Sequence, residues 1–377
     1  MEALPRGGPA EPAVRTLEPS GKPAGAADSV AVLKGLDAVD RLAPAWNELA
    51  DAVGAAASLR PEWVQAWHRA FGRGGLEIVT VRRGGRLVGV VPMQRRNGEL
   101  RSTSNYHTPS FGLLAADAAA LETLATALIR TSPRRLTVAF VPEEDPSLAA
   151  LQAASRQARR PTVVRVLERC PYLMLDGTWE ELLATRRHQF ARELKRRLRR
   201  IHSRGDFETD LQDGSEDLDR YLEEGFAIEA SGWKGKKGTA IASSPNTRGF
   251  YREIARWLAS RGSLRLSYLR LDGVAFAVEI AFEENGRYSL LKSGYDESYR
   301  SDAPGVLIRA AAIQGAFARG LRRYDFLGKE DAWKREWTST VEVQVQFQSF
   351  GRTPDGVADW AAQRYLRPIA RRFLKRR

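Results

Sequence analysis

Cysteine, histidine and long apolar runs are scarce in this 377-residue chain, and each shortage excludes a class of function. A single cysteine, Cys170, cannot form an intramolecular disulfide, and its place before Pro171 beside a strand-like run predicts a core residue, not a nucleophile. The four histidines lack metal-ligand spacing, so we expect no metal site. No stretch approaches the roughly 20 apolar residues of a membrane span, which predicts a cytoplasmic protein.

Positive charge, by contrast, is abundant. The formal net charge is +13 and the pI is about 10.0, which favours an anionic partner such as a nucleotide, a CoA-like ligand, tRNA or an acidic lipid surface. The length suits two domains of about 150 residues each. Residues 1–29, with five prolines and four glycines, predict a disordered N-terminal arm.

The most informative feature is an internal repeat. Residues 76–102 and 264–291 each predict three strands joined by two tight turns, with Gly or Asn at the positions that need a positive φ. A single shift of 188 residues relates the matching landmarks: Gly85 and Gly273, Asn97-Gly98 and Asn285-Gly286, Arg135 and Arg323. One shift that holds across both segments predicts a duplicated unit.

Each copy is predicted to place two helices before its antiparallel meander, and a helix and further strands after it. The predicted fold class is therefore α/β (α+β), with two tandem domains that each hold a mixed, mostly antiparallel sheet flanked by helices. We expect the domains at 30–175 and 206–350, a basic connecting helix at 176–205 and a basic C-terminal helix at 351–377.

Several short motifs resemble those of a known enzyme superfamily. They are "RRHQFARELKRRLRR" between the copies and "GYDESY", "APGVLI" and "YDFLGKEDAWKREW" in the second copy. Over about 30–350 the chain resembles the CelD/BioF2-like acetyltransferases of the GNAT superfamily, distant relatives of the FemABX aminoacyltransferases. The resemblance implies tandem GNAT-like domains, acetyl-CoA or another acyl-CoA as co-substrate, and an amine or hydroxyl acceptor related to the cell envelope or polysaccharides.

The loop before the post-meander helix of the second copy is the expected donor site. The resemblance implies that this loop and the first helical turn hold the diphosphate of the acyl-CoA, through free amides and the positive end of the helix dipole. The residues expected there are small or basic: Arg300, Ser301, Ala303, Gly305, Val306 and Arg309. The alternative is a tight loop that only caps a packed helix. Copy one has Asp117 in the equivalent segment, so we expect it not to bind the donor.

Acyl transfer needs a base for the acceptor proton and a positive group beside the oxyanion. Lys292, on the third meander strand of copy two, is the expected oxyanion-stabilising cation, with a solvent-exposed strand lysine as the alternative. Glu330 is the first choice as general base and Asp325 the second. Their structural alternatives are a helix cap and a buried structural carboxylate.

The resemblance also implies a general acid, since many GNAT enzymes use a tyrosine for this role in the helix after this strand. The present chain has Trp333 there. Tyr295 or Tyr324 would then take that role, or no protein acid is used.

Acceptor contacts are expected from two groups of side chains. Trp233 and Lys234 lie in a Gly- and Lys-rich loop that would act as an acceptor lid, with a solvated basic loop as the alternative. Asp296, Lys329 and Lys334 lie near strand ends of copy two, and Asp296 would either bind an acceptor hydroxyl or cap a turn.

Two basic segments, 186–204 and 364–377, carry nine and seven Lys or Arg residues with apolar residues at helical spacing. Such helices can lie on the inner face of an anionic membrane, grip tRNA, or dock their apolar stripe on the protein body. The function predicted from the sequence is acyl transfer. The alternatives are a FemABX-like transferase that uses aminoacyl-tRNA, and a non-catalytic membrane-associated scaffold of exopolysaccharide synthesis. The sequence leaves the acceptor and the oligomeric state open.

Overall fold

The computed structural model describes residues 15–17, 27–186, 188–232, 238 and 240–366. The predicted fold class is confirmed, because within those residues fourteen strands form one mixed, mostly antiparallel sheet against which helices pack. The elements fall into two halves of like order, joined by two helices.

The first half has two helices before its meander and two helix–strand units after it. Its elements are β1 (Arg15–Leu17), β2 (Ser29–Lys34), α1 (Leu36–Ala52), α2 (Pro61–Phe71), β3 (Gly75–Arg83), β4 (Arg86–Arg96), β5 (Glu99–Ser102), β6 (Leu114–Ala115), α3 (Ala118–Thr131), β7 (Arg135–Pro142), α4 (Pro146–Gln157) and β8 (Thr162–Met174). Proline opens α2 and α4 at the first position, where its missing amide costs no helical bond.

The connection and the second half repeat this plan. The connecting helices are α5 (Trp179–Thr185) and α6 (His188–His202). The elements that follow are β9 (Phe207–Gln212), α7 (Leu218–Ser231), α8 (Pro245–Ser260), β10 (Leu264–Leu271), β11 (Val274–Glu284), β12 (Arg287–Tyr295), α9 (Pro304–Ala318), β13 (Arg323–Asp325), α10 (Ala332–Arg335), β14 (Val341–Phe350) and α11 (Pro354–Ala361).

The predicted meanders and their turns are confirmed. Asn97 and Asn285 have φ values of 51° and 53°, and the glycines that follow them have 74° and 73°. The parallel pairing after each meander also repeats with the same shift, since Glu99 lies opposite Arg135 in the first half and Arg287 lies opposite Arg323 in the second. The two halves therefore share their turn conformations and their strand register.

The two halves exchange their last strands. The order in the sheet is β1-β2-β3-β4-β5-β7-β14-β8-β13-β12-β11-β10-β9, with β6 paired to β4. β14 of the second half pairs with β7 of the first, β8 of the first half pairs with β13 of the second, and β8 and β14 pair with each other. Each half is therefore completed by a strand of the other.

An opening forms in the second half where two parallel strands diverge. β12 and β13 pair over three positions only, ending at Ser289 and Asp325, whereas β12 continues to Tyr295. A register shift between β11 and β12 leaves Leu291 as an extra residue in the ladder, a β-bulge that bends the strand. The backbone of 290–295 thus lies along an open wedge.

The connecting helix α6 docks on the protein body. Its apolar residues belong to the core around α9, with Leu194 at 3% and Ile201 at 0% exposed, while Lys195 and Arg199 are exposed. Of the N-terminal arm, Arg15–Leu17 pair with β2. The remaining arm residues up to 26, and residues 367–377 of the predicted C-terminal helix, lie outside the described residues. No helix in the described part of the chain is both long and apolar enough to cross a membrane.

Candidate active site

The wedge between β12 and β13 opens into a cleft of about 620 Å³, which we name the transfer cleft. Its walls are the β12 edge at 290–295, the start of α9 at 303–306 and a first-half loop at 106–109. The segment after β13 and the short helix α10 form the opposite side, with Phe326, Trp333 and Lys334. The transfer cleft is therefore built by both halves.

The first turn of α9 faces this cleft without a side-chain cap. Ala303 precedes the helix in the left-handed conformation (φ 56°, ψ 53°), and Pro304 has no amide hydrogen. The amides of Val306 and Leu307 both donate to the Ala303 carbonyl, at 2.9 and 3.3 Å. Among the described residues the Gly305 amide has no such acceptor, so it is the donor that this turn can offer to a ligand.

The space in front of this turn is open and positive. Among the described residues, a Cβ atom on Gly305 would meet only the Tyr295 ring, 3.7 Å away. Arg300 lines the cleft, and the buried carboxylate of Asp302 is held by Arg204 and, at 3.2 Å, by Arg200 of α6. An anion at the start of α9 would therefore meet one amide, the positive helix end and Arg300, which is a smaller set of amides than we predicted.

The equivalent turn of the first half is closed. The Asp117 carboxylate caps α3 by accepting from the Ala120 amide at 2.8 Å, and it pairs with Arg83 at 2.7 Å. Hydrogen bonds from Arg83 and the Ala120 amide hold the pKa of Asp117 below its usual value. A carboxylate thus occupies the place where an anion would bind at this turn.

A buried ionic network forms the floor of the transfer cleft. The Arg309 guanidinium pairs with Glu279, donates to the Tyr324 hydroxyl at 2.7 Å and to the Ser293 hydroxyl at 3.3 Å, and lies 4.8 Å from the Trp333 ring. Arg309 and Glu279 are 2% and 0% exposed. Arg309 is therefore held as the counter-ion of Glu279 and fixes β11, β12, β13 and α9 to one another, which is a different role from the predicted contact with the donor diphosphate.

Lys334 is a buried cation at the opposite wall. Its ammonium donates to the carbonyls of Leu327 and, at 2.7 Å, of Lys329, and it lies 5.4 Å from the Trp333 ring. The pKa of Lys334 is lowered to about 8, chiefly by burial, with Asp331 opposing the shift and Arg309 adding to it. Besides these two carbonyl contacts, the Asp331 carboxylate lies 3.9 Å from the ammonium nitrogen.

The far end of the cleft brings together polar groups from three elements. The His107 Nδ1 atom of the first half lies 3.1 Å from the Tyr251 hydroxyl of α8, and Lys292 of β12 lies 5.7 Å from the Tyr251 ring. Burial, assisted by the Lys292 charge, lowers the pKa of His107 to about 4. Glu229 of α7, 1% exposed, accepts from the Ile241 amide at 2.8 Å and lines the same end.

Seven of the predicted residues are not among those that line the cleft, and two of the seven lie outside the described residues. Glu330 pairs with Arg169 at 3.2 Å, Asp325 is buried against Arg323, and Asp296 caps a short helical turn through the Ser298 amide at 2.9 Å. None of these three lines the cleft, nor do the side chains of Ser301 and Lys329. Trp233 and Lys234 lie outside the described residues.

The remaining predicted residues do line the transfer cleft: Lys292, Tyr295, Arg300, Ala303, Gly305, Val306, Arg309 and Lys334. Sequence reasoning missed Glu229, Glu279, His107 and Tyr251. An acid among apolar residues, in the last turn of a helix for Glu229 and within an apolar strand for Glu279, was the available signal. His107 and Tyr251 gave no comparable signal, because only tertiary packing brings them together.

Cys170 is a core residue, as predicted. It is 5% exposed, and burial raises the pKa of its thiol to about 12, with Glu168 adding to the effect. Among the described residues, no group of three or more His, Cys, Asp or Glu side chains is arranged to hold a metal ion.

A family model matches part of this chain, and solved structures share its fold. Residues 188–335, which include α6 and most of the transfer cleft, match the family model of the acetyltransferase (GNAT) domain. No curated protein sequence shows a significant match.

Solved structures resemble the chain over most of its length. FemX is 11% identical with a TM-score of 0.55, and the match covers 81% of this chain and 95% of FemX. The C-terminal domain of a protein described as a lysylphosphatidylglycerol synthetase from Agrobacterium fabrum is 11% identical with a TM-score of 0.52, over 85% and 96% of the two chains. A conserved protein of unknown function from Bacteroides thetaiotaomicron is 12% identical with a TM-score of 0.52, over 84% and 97%. At these identities the likeness is one of fold.

Proposed function

We propose that this protein is a GNAT-type acyltransferase, similar to the CelD/BioF2-like enzymes, that moves an acyl group from an acyl-CoA to an amine or hydroxyl of a cell-envelope or polysaccharide-related acceptor. One observation carries the proposal. A cleft runs from an uncapped, open helix start, along the edge of a bulged strand, to a buried polar cluster supplied by both halves. Donor and acceptor can therefore enter from opposite ends and meet at β12.

The start of α9 fits the diphosphate of the donor. The Gly305 amide and Arg300 would bind it, and the 303–306 turn leaves room for the diphosphate to approach the backbone. A thioester supplies an activated acyl carbon when it is bound. The edge of β12 at 290–293 would orient the acyl carbonyl, since bulged strand backbone there borders the cleft.

In the proposed reaction Glu229 takes the proton of the acceptor nucleophile as the new bond to the acyl carbon forms. The carbon–sulfur bond of the thioester then breaks, and CoA leaves as a thiolate that is protonated from solvent, while Glu229 releases its proton to solvent. It replaces Glu330 and Asp325 in this role because its carboxylate lines the cleft and theirs do not. Lys292 and Lys334 face the cleft from two sides, and either ammonium can stabilise negative charge on the acyl oxygen. The buried pair of Arg309 and Glu279 holds the wedge open at its floor.

Binding of the donor at α9 is tested by thermal shift. Acetyl-CoA or CoA should raise the Tm of the wild type, and Gly305→Glu should abolish that shift, since a carboxylate would then occupy the diphosphate position. The matched control is Ala119→Glu, which places the same group at the second position of α3, the equivalent helix of the first half, where residue 119 is exposed. This control should keep the full shift.

The same measurement separates the alternatives. A wild type that shows no shift with CoA or any CoA ester would contradict acyl-CoA dependence and favour a non-catalytic scaffold. A shift with an aminoacyl-tRNA analogue and none with CoA would favour the aminoacyl-tRNA donor. A shift that survives Gly305→Glu would remove the start of α9 from the donor site.

A further inference from the structure

A second cleft, of about 990 Å³, lies on the first half near the start of β7. We name it the basic cleft, because five arginines line it: Arg73, Arg96, Arg101, Arg134 and Arg135. They come from the α2–β3 corner, the end of β4, β5 and the approach to β7. Among the described residues that line it, Glu99 is the one carboxylate.

The acids nearby neutralise only some of this charge. Glu99 pairs with Arg101 and Arg135, each at 2.7 Å, and Asp359 of α11 pairs with Arg134 at 2.9 Å. Arg73 and Arg96 are exposed, and neither has a carboxylate partner among the described residues. Two guanidinium groups are therefore available to an external anion, against a background that is already positive.

Other hydrogen-bond donors face the same space. The first turn of α8 contributes Ser244, Asn246 and Thr247 to the wall, so the positive end of a sixteen-residue helix points toward the arginines. Trp67 also lines the cleft, is 2% exposed, and its indole N–H has no acceptor in the described part of the chain. A buried donor without an acceptor is costly unless a ligand or water satisfies it.

The basic cleft and the transfer cleft share a wall. Asn105 lines the basic cleft, while the next residues, Tyr106 and His107, line the transfer cleft. Phe71, on the basic side, stacks on His107 with ring centroids 5.1 Å apart and an angle of 8°. This stacked pair of rings lies between the two clefts, so a ligand held among the arginines lies next to the His107 end of the transfer cleft.

From these features we infer that the basic cleft binds the phosphate group of a phosphorylated acceptor, whose nucleophile reaches the acyl donor past His107. Guanidinium groups bind phosphate through paired hydrogen bonds, and the start of α8 adds a complementary field. The role of the bound molecule as an acceptor rests on the proposed acyl transfer. Phosphate binding itself does not, and it can be measured alone.

The first test is calorimetric titration of the full chain with inorganic pyrophosphate. The double variant Arg73→Gln/Arg96→Gln should weaken binding by at least about tenfold, because it removes two guanidinium groups that can donate charge-assisted hydrogen bonds to phosphate. The matched control Arg41→Gln/Arg130→Gln removes the same charge from exposed helix positions that line neither cleft. It should bind pyrophosphate within about twofold of the wild type. No measurable binding, or equal weakening in both variants, would overturn the inference.

The second test compares an aminosugar phosphate with the same aminosugar as acceptors in an acetyl-CoA transfer assay. The wild type and the control should prefer the phosphorylated form in kcat/KM by about tenfold or more, and Arg73→Gln/Arg96→Gln should lose this preference. The shift in Tm with CoA should persist in all three proteins. A shift lost in Arg73→Gln/Arg96→Gln would assign the basic cleft to the donor and overturn the acceptor assignment. Pyrophosphate binding without any CoA shift would instead remove the proposed acyl transfer and leave the phosphate site standing.

Discussion

At the scale of single residues, Lys334 is the side chain whose burial has the clearest consequence. The residue is 4% exposed, and burial lowers the pKa of its ammonium group from 10.5 to about 8. The folded state therefore releases this proton more easily than the unfolded chain. Protonation of Lys334 at low pH lowers the free energy of unfolding. The free energy of unfolding of the wild type should rise by roughly 2–3 kcal/mol relative to Lys334→Met as the pH increases from about 8 to 10.5.

Denaturant unfolding across that pH range measures this difference, because the other titrating groups are common to both proteins. The control variant is Lys329→Met. Because Lys329 is exposed, the free energy of unfolding of this variant should change with pH as that of the wild type does. If the curves of the wild type and Lys334→Met run parallel, the ammonium is not desolvated in the folded state.

The buried pair of Arg309 and Glu279 supports a second residue-scale prediction. Glu279→Gln or Arg309→Met alone leaves a buried partner uncompensated and should reduce the free energy of unfolding by about 3–5 kcal/mol. The double variant should lose much less than the sum of the two. The exposed pair of Arg86 and Glu48, 2.9 Å apart, provides the control cycle, and its coupling should stay within about 1 kcal/mol. Additive effects at Arg309 and Glu279 would show that the two charges do not interact.

At the scale of elements, features set by short stretches of chain were predictable and features set by distant pairing were not. The Asn-Gly turns and the proline at the start of α9 act locally, so the meanders and the helix entrance followed from the sequence. The exchange of β8 and β14 has no local signature. Both are runs of alternating residues that could pair with several edges, and only the assembled sheet selects among them.

The same distinction explains the candidate site. Gly305, Tyr295 and Lys292 lie on elements whose positions follow from the repeat, and they line the transfer cleft. Glu330 was predicted as the general base because it follows a strand. In the structure it pairs with Arg169 of β8, a strand of the first half. Glu229 and His107 enter the cleft through packing between elements far apart in the chain, which local sequence patterns do not specify.

At the scale of the whole molecule, each half uses the other to complete its core. Val345 and Phe347 of β14, both fully buried, pack in the core of the first half, and Leu173 of β8 packs in the core of the second. Separate fragments 27–204 and 205–366 would each expose apolar surface and an unpaired strand edge. We therefore expect neither fragment alone to unfold cooperatively.

Mixing the two fragments should restore the native fold, because the chain is cut between α6 and β9 and every strand pair except β1–β2 can still form. Circular dichroism and cooperative thermal unfolding of the mixture measure this recovery. Val345→Asp in the second fragment should prevent it, since a charge would enter the first-half core. Val274→Asp, at a position that is 61% exposed on β11, should permit it. A 27–204 fragment that unfolds cooperatively by itself would show that the exchanged strand β14 is dispensable, and the two halves would then be independent domains that merely touch.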